Sequence, residues 1–226
     1  MRWCLVIFSL LAAPAIADAP LAGVGRLTFD GRGGCTGVLI APDLVLTAGH
    51  CLANPNGRKK DALTVEFETG RYPGQPARVV SGAASEVHPL WFGETRETVR
   101  VIGHDIALLR LAAPLDDEVA PLRIGAPARE GERLMIASWF GKDARRARER
   151  FCVAVEARDP VAILGCRVDG GESGAPVLRL TDAGPEVVAI VSSRGEIGVQ
   201  NLAFAAFASR SAAQLRALLI AVGDGG

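Results

Sequence analysis

Gly170-Gly171-Glu172-Ser173-Gly174-Ala175-Pro176 is the stretch around which this chain is organised. A serine hydroxyl is a weak nucleophile at neutral pH unless a base takes its proton and nearby donors hold the oxyanion it creates. The glycines on either side of Ser173 permit backbone angles that turn the N–H groups of Gly171 and Ser173 to the side of the hydroxyl. Taken alone, the heptapeptide reads equally well as a Gly-rich turn leading into a strand. Its meaning depends on two stretches upstream.

The first is Leu46-Thr47-Ala48-Gly49-His50-Cys51, where an apolar strand gives way to small residues and then to an imidazole. A lone histidine in apolar company is more often a hydrogen-bonded core group than a catalyst. His50 differs in its neighbours, because Cys51 adjoins it and Cys35 lies fifteen residues before it, close enough in sequence for a staple. The second stretch is Gly103-His104-Asp105-Ile106-Ala107-Leu108-Leu109-Arg110-Leu111, in which one carboxylate introduces an apolar strand. Such an acid is either exposed at the strand start or buried with a partner, since burial alone is costly. An imidazole N–H would be that partner, and the carboxylate would orient the ring in return.

With T-A-G-H-C, H-D-I-A-L-L-R-L and G-E-S-G-A-P standing in the order His, Asp, Ser, the sequence resembles the trypsin/chymotrypsin-like serine proteases, in the manner of a secreted bacterial member. The resemblance implies an all-β fold: two six-stranded antiparallel Greek-key barrels with a C-terminal α-helix and the site in the cleft between the barrels. It implies a serine endopeptidase acting on polypeptides without metal or other cofactor. Ser173 would attack the carbonyl, His50 would take and return the proton, Asp105 would orient the imidazole, and the N–H groups of Gly171 and Ser173 would line the oxyanion hole. A catalytically silent relative that uses the cleft for binding is the alternative; an esterase on the same scaffold is a further one. His104 is expected to face away from Asp105, and His88 resembles part of a structural loop of the family.

Two features depart from the family pattern. Animal members pair a freed Ile-Val-Gly-Gly-like terminus with an aspartate before the serine, whereas Glu172 stands at that position and Asp18–Arg26 carries no such terminus. Glu172 is therefore expected to find another partner. In members that cleave after Lys or Arg, an aspartate lies six residues before the serine; here that residue is Arg167, with Ser192, Ser193, Arg194 and Gly198 expected on the opposing pocket wall. The two arginines could favour an acidic substrate side chain, or Arg167 could pair with Asp169 or point away.

Met1-Arg2, the apolar run Trp3 to Ala13 and Ala15-Ile16-Ala17 read as a signal peptide over 1–17, which removes Cys4 and implies a secreted or periplasmic protein. Cys35, Cys51, Cys152 and Cys166 then remain, with three possible pairings. Cys35–Cys51 and Cys152–Cys166 are favoured because each closes a short loop, worth about 3 kcal/mol in the chain-entropy account. Zinc is a weaker use of them, since no C-x-x-C spacing occurs. Lys plus Arg equals Asp plus Glu at 25 each, so no global field favours nucleic acid or an anionic membrane. A monomer without stable membrane insertion is expected.

Short Val-, Ile-, Leu- and Thr-rich segments separated by Gly, Pro and Asp follow from residue 24 onward. The expected strands cover 24–29, 35–41, 44–47, 63–68, 77–81, 106–111, 133–139, 151–157, 175–180, 187–192 and 200–207. The expected organisation is an N-terminal barrel over 18–112, a linker over 113–121, a second barrel over 122–208 and a helix with tail over 209–226. In that helix Ser209 can cap, and Leu215, Leu218, Leu219 and Val222 form an apolar face. A membrane-surface role for it is weakened by its few basic residues. The cationic run Lys142 to Arg150 reads as a solvated loop, with an exosite for an acidic partner or self-cleavage as alternatives.

Overall fold

The computed structural model describes residues 21–54, 56–69, 77–91, 98–115, 119–139 and 147–223. The signal peptide expected over 1–17, with Cys4, lies outside the described residues, as does the part of the cationic run over 142–146.

The first barrel consists of β1 (Val24–Phe29), β2 (Arg32–Ala41), β3 (Leu44–Thr47), β4 (Val65–Thr69), β5 (Arg78–Val87) and β6 (Ala107–Leu111), closed in the order β1-β2-β3-β6-β5-β4. Hairpins with tight turns start it: Asp30 and Gly31 both take positive φ between β1 and β2, the geometry a right-twisted two-residue turn demands. Leu27, Val38, Leu46, Phe67 and Leu108 point inward and are fully buried. Each such side chain contributes on the order of 1.5–3 kcal/mol by leaving water. Gly25 makes room for the Phe67 ring, whose edge lies 2.5 Å from the place a Cβ would occupy.

The second barrel contains β8 (Arg133–Ser138), β9 (Arg148–Arg158), β10 (Val161–Leu164), β11 (Pro176–Thr181), β12 (Gly184–Ile197) and β13 (Gln200–Phe207). It runs β11-β8-β9-β10-β13-β12 and closes through β11 and β12, while the two-residue β7 (Arg123–Ile124) adds to β12 in parallel. The expected all-β, two-barrel architecture with a C-terminal helix is thus present. Strands β7 and β10 escaped the sequence reading because Arg123–Ile124 is too short to alternate and Val161–Leu164 is brief and nearly all apolar.

Several expectations need correction. Strand β9 begins at Arg148, so Arg148 to Arg150 belong to a paired strand rather than to a solvated loop; they lie opposite Ser138, Ala137 and Ile136 of β8. The C-terminal helix α3 (Ala208–Gly223) starts at Ala208, which puts Ser209 inside its first turn. Its buried face is Ala208, Ala212, Leu215 and Leu219, whereas Leu218 is exposed. Helical spacing of 4, 3 and 4 puts the first set on one stripe, and Leu218 falls off its edge. Helix α3 packs on β5, β6 and β12, and so ties the two barrels together. Among the described residues no helix is long and apolar enough to cross a membrane.

Candidate active site

Antiparallel register brings the first two site residues together. Thr47, the last residue of β3, pairs with Ala107, the first of β6, so the chain leaving β3 and the chain entering β6 lie at one end of the barrel. His50 follows in the single turn α1 (Gly49–Leu52), and Asp105 precedes β6, just beyond the short helix α2 (Val99–Gly103). A disulfide joins Cys51 to Cys35 on β2 and pins that turn to the barrel; a second joins Cys152 to Cys166. Both are the pairings favoured by loop length. Cys35, His50 and Cys51 cluster tightly enough to suggest a metal set, but the two sulfurs are bonded to each other and present no thiolate.

The Asp105 carboxylate is 4% exposed and is filled by donors. Oδ1 accepts the His50 backbone N–H at 2.8 Å, and Oδ2 accepts from His50 Nδ1 at 2.7 Å and from the Ser192 hydroxyl at 2.6 Å. A carboxylate can only accept, so Nδ1 carries the proton and Nε2 keeps its lone pair. His104 takes no part in this arrangement. It caps α2, its Nδ1 lies 2.7 Å from the Arg100 carbonyl, and its ring stacks on His88 with centroids 4.6 Å apart. Burial lowers the pKa of His88, the charge of His104 adds to this, and a hydrogen bond that the ring donates to the Gln214 side chain opposes it.

Ser173 comes from the second barrel, on the turn that enters β11. Gly174 N–H donates to Val191 and Val191 N–H to Ala175, so the β11–β12 ladder continues up to the serine. Immediately after Val191 the β12–β13 register slips by one residue, a bulge that re-aims Ser192 across the seam to Asp105. Ser192, expected on the pocket wall, therefore spends its hydroxyl on the first-barrel acid. Gly174 has φ +79, and a Cβ there would overlap the Thr36 carbonyl and the Thr47 hydroxyl and come within 3.1 Å of Ala48 N. Only glycine lets the serine turn close so tightly onto the strand end that bears His50.

Thr36 fastens this seam. Its backbone N–H donates to the Ser173 carbonyl at 2.8 Å, its hydroxyl donates to the Gly171 carbonyl at 2.9 Å, and that same oxygen accepts Trp139 N–H at 3.0 Å. Trp139 adds a bond from its indole N–H to the Val24 carbonyl at 2.8 Å. Carbonyls of Gly171 and Ser173 are thereby drawn toward the first barrel. Their own N–H groups donate to no protein acceptor among the described residues. Thr36→Val keeps the shape but strands the Gly171 carbonyl and Trp139 N–H, at about 1–3 kcal/mol each. The expected result is a lower urea midpoint at unchanged m-value, together with a slower reaction of Ser173 toward an acylating probe.

Residues 22–214 match the family described as Trypsin. The chain belongs to the trypsin family. Among curated members of the trypsin family, the human chymotrypsin-like elastase family member 3B is 39% identical over 89 residues, 38% of this chain and 30% of that protein. The human member 3A is 40% identical over 93 residues, and proproteinase E of Bos taurus is 36% identical over 88. This chain spans about a third of the length of the curated relatives it matches, 30% and 32% for the first two.

Against this trypsin-family background Glu172 is informative. It is fully buried, accepts from the Ser138 hydroxyl at 2.7 Å and from Asp169 N–H at 2.6 Å, and lies 3.7 Å from the Arg150 guanidinium. These are the partners that the sequence left unnamed. Arg150 looked like one charge in a surface run, and nothing in linear spacing linked it to residue 172. Glu172→Ala leaves the buried Ser138 hydroxyl and the Asp169 N–H without their acceptor, at about 1–3 kcal/mol each, so a clear loss of folding stability is expected by chemical denaturation.

Proposed function

We propose that this trypsin-family chain is a secreted or periplasmic serine endopeptidase, monomeric and acting through an acyl-enzyme. The observation that carries the reading is the Asp105 carboxylate, which holds His50 by ring and backbone and Ser192 by its hydroxyl, beside the turn of Ser173. The apolar leader and two disulfides support an oxidising compartment.

In this reading Ser173 Oγ attacks the carbonyl carbon of the bond to be cut while His50 Nε2 takes its proton. The charge that develops on the carbonyl oxygen is held by the N–H groups of Gly171 and Ser173, which have no competing protein acceptor among the described residues. The imidazolium, stabilised by Asp105, then protonates the leaving amine. A water repeats the sequence on the ester and regenerates the serine.

The test is an active-site label. The mature protein treated with a fluorophosphonate should gain the mass of one phosphonyl group, on the peptide containing Ser173. A folded parent that stays unlabelled would count for a binding-only relative and against an endopeptidase.

A further inference from the structure

Beside Ser173 a cavity of about 400 Å³ opens between the turn Val168 to Gly170 and residues Ser192 to Arg194 of β12. It adjoins a second cavity of about 410 Å³, with Val168 and Arg194 common to both and Arg167, Asn201 and Leu202 lining the second. Gly198, expected on this wall, lines neither; it sits at the tip of the β12–β13 hairpin, between Ile197 and Gln200. Arg194 thus borders both cavities, while Ser173 lines the first and Arg167 the second.

Asp169 sits between the two cations. Its Oδ1 accepts from Arg167 Nε at 2.9 Å and lies 4.0 Å from an Arg194 terminal nitrogen. The Arg167 hydrogen bond lowers the Asp169 pKa, partial desolvation opposes this, and the charges of Arg167, Arg150 and Arg194 add to it. A guanidinium has five N–H donors, and Asp169 engages one of those on Arg167 and none on Arg194 within hydrogen-bond distance. Neither arginine has another protein acceptor among the described residues. Of the nearby acids, Glu172 is sealed in the core with its own donors, and Glu196 lines the second cavity from the exposed β12 stretch leading to the hairpin tip. Val168 and Leu202, both 4% exposed, supply an apolar flank for a methylene stem.

We propose that this paired-arginine cavity receives the acidic side chain of the residue preceding the cleaved bond, with Arg194 as the carboxylate partner nearer Ser173 and Arg167 as the farther one. A carboxylate there meets donors in a planar fork, which it can engage by two parallel bonds. A lysine or arginine side chain meets the like charge of Arg167 and Arg194, against which the lining sets Asp169, already engaged by Arg167, and the exposed Glu196. This specificity rests on the endopeptidase reading, but its test need not.

Peptides ending in Glu, Asp, Gln, Leu or Lys at the position before the cut, otherwise identical, are titrated against the Ser173→Ala protein by fluorescence anisotropy, so binding is read without turnover. Binding of the Glu or Asp peptide at least about tenfold tighter than the Gln peptide is expected, with the margin shrinking as salt rises. In the Arg167→Gln, Arg194→Gln double variant on the same background, verified as folded by near-ultraviolet circular dichroism, the acid-to-Gln ratio should fall to near one. Equal binding of Glu and Gln peptides, a preference for Leu or Lys, or a ratio that survives the double substitution each overturns the proposal. Turnover of the parent on the same series separates the two readings: acid-selective binding with no cleavage sinks the endopeptidase while leaving the pocket intact.

Discussion

Ser173→Ala should lose peptide hydrolysis by a factor on the order of 10⁶ in kcat while melting within a degree or two of the parent. On the proposed acyl-enzyme mechanism the size follows from the loss of the attacking oxygen; triad residues act as a unit, so removal of the nucleophile alone carries nearly the whole effect. The small change in stability follows from the local structure. Ser173 is anchored by its backbone carbonyl, which accepts from Thr36 N–H, and Gly174 and Ala175 maintain the β11–β12 ladder without any help from the hydroxyl. KM should change little, because the Ser173 hydroxyl is one atom at the cavity mouth and the lining residues stay in place. Residual turnover above one part in a thousand, with labelling intact at another residue, would transfer the nucleophile's role elsewhere.

Asp105→Asn is the second large effect, about 10⁴ in kcat. The carboxylate takes three donors, from His50 N, His50 Nδ1 and Ser192 Oγ, and an amide cannot satisfy all three. Its one oxygen can serve the His50 backbone or the ring, but its NH₂ then points at a donor. If that donor is the imidazole, the ring must move its proton to Nε2, and the nitrogen needed as base is blocked. Because Asp105 is also buried, a stability loss of about 1–3 kcal/mol accompanies the kinetic one. Ser192→Ala distinguishes the two contributions, since it removes one donor and leaves the tautomer unchanged; a fall in kcat approaching that of Asp105→Asn would show that the tautomer is not the cause.

Cys51, His50, Asp105 and Ser173 could be singled out in the linear chain because each sits inside a short motif whose residue types carry their chemistry locally, and Cys35 because it lies a short loop away from Cys51. Strand alternation and turn residues made most of the two barrels legible for the same reason: period-2 burial and Gly or Asp at turns are written into neighbouring residues. The short elements β7 and β10 were not, since two or four residues carry no period. Thr36, Trp139, Ser138 and Arg150 were also silent, although they hold the site as firmly as its named members. Their partners across the seam and around Glu172 lie between 22 and 137 residues away, and contacts across such spans leave no mark on local composition.

The amino-acid sequence alone determined the fold class, the order of the reactive residue types and which cysteines can close short loops, because these depend on chemistry and spacing within a few residues. Tertiary structure decided the rest: that a bulge turns Ser192 onto Asp105, that Glu172 is held by Ser138, the Asp169 amide and Arg150, and that Arg167 and Arg194 face one cavity. Those facts arise from how two closed barrels meet, and the direction of a side chain at such a seam is set by packing and register summed over the whole chain.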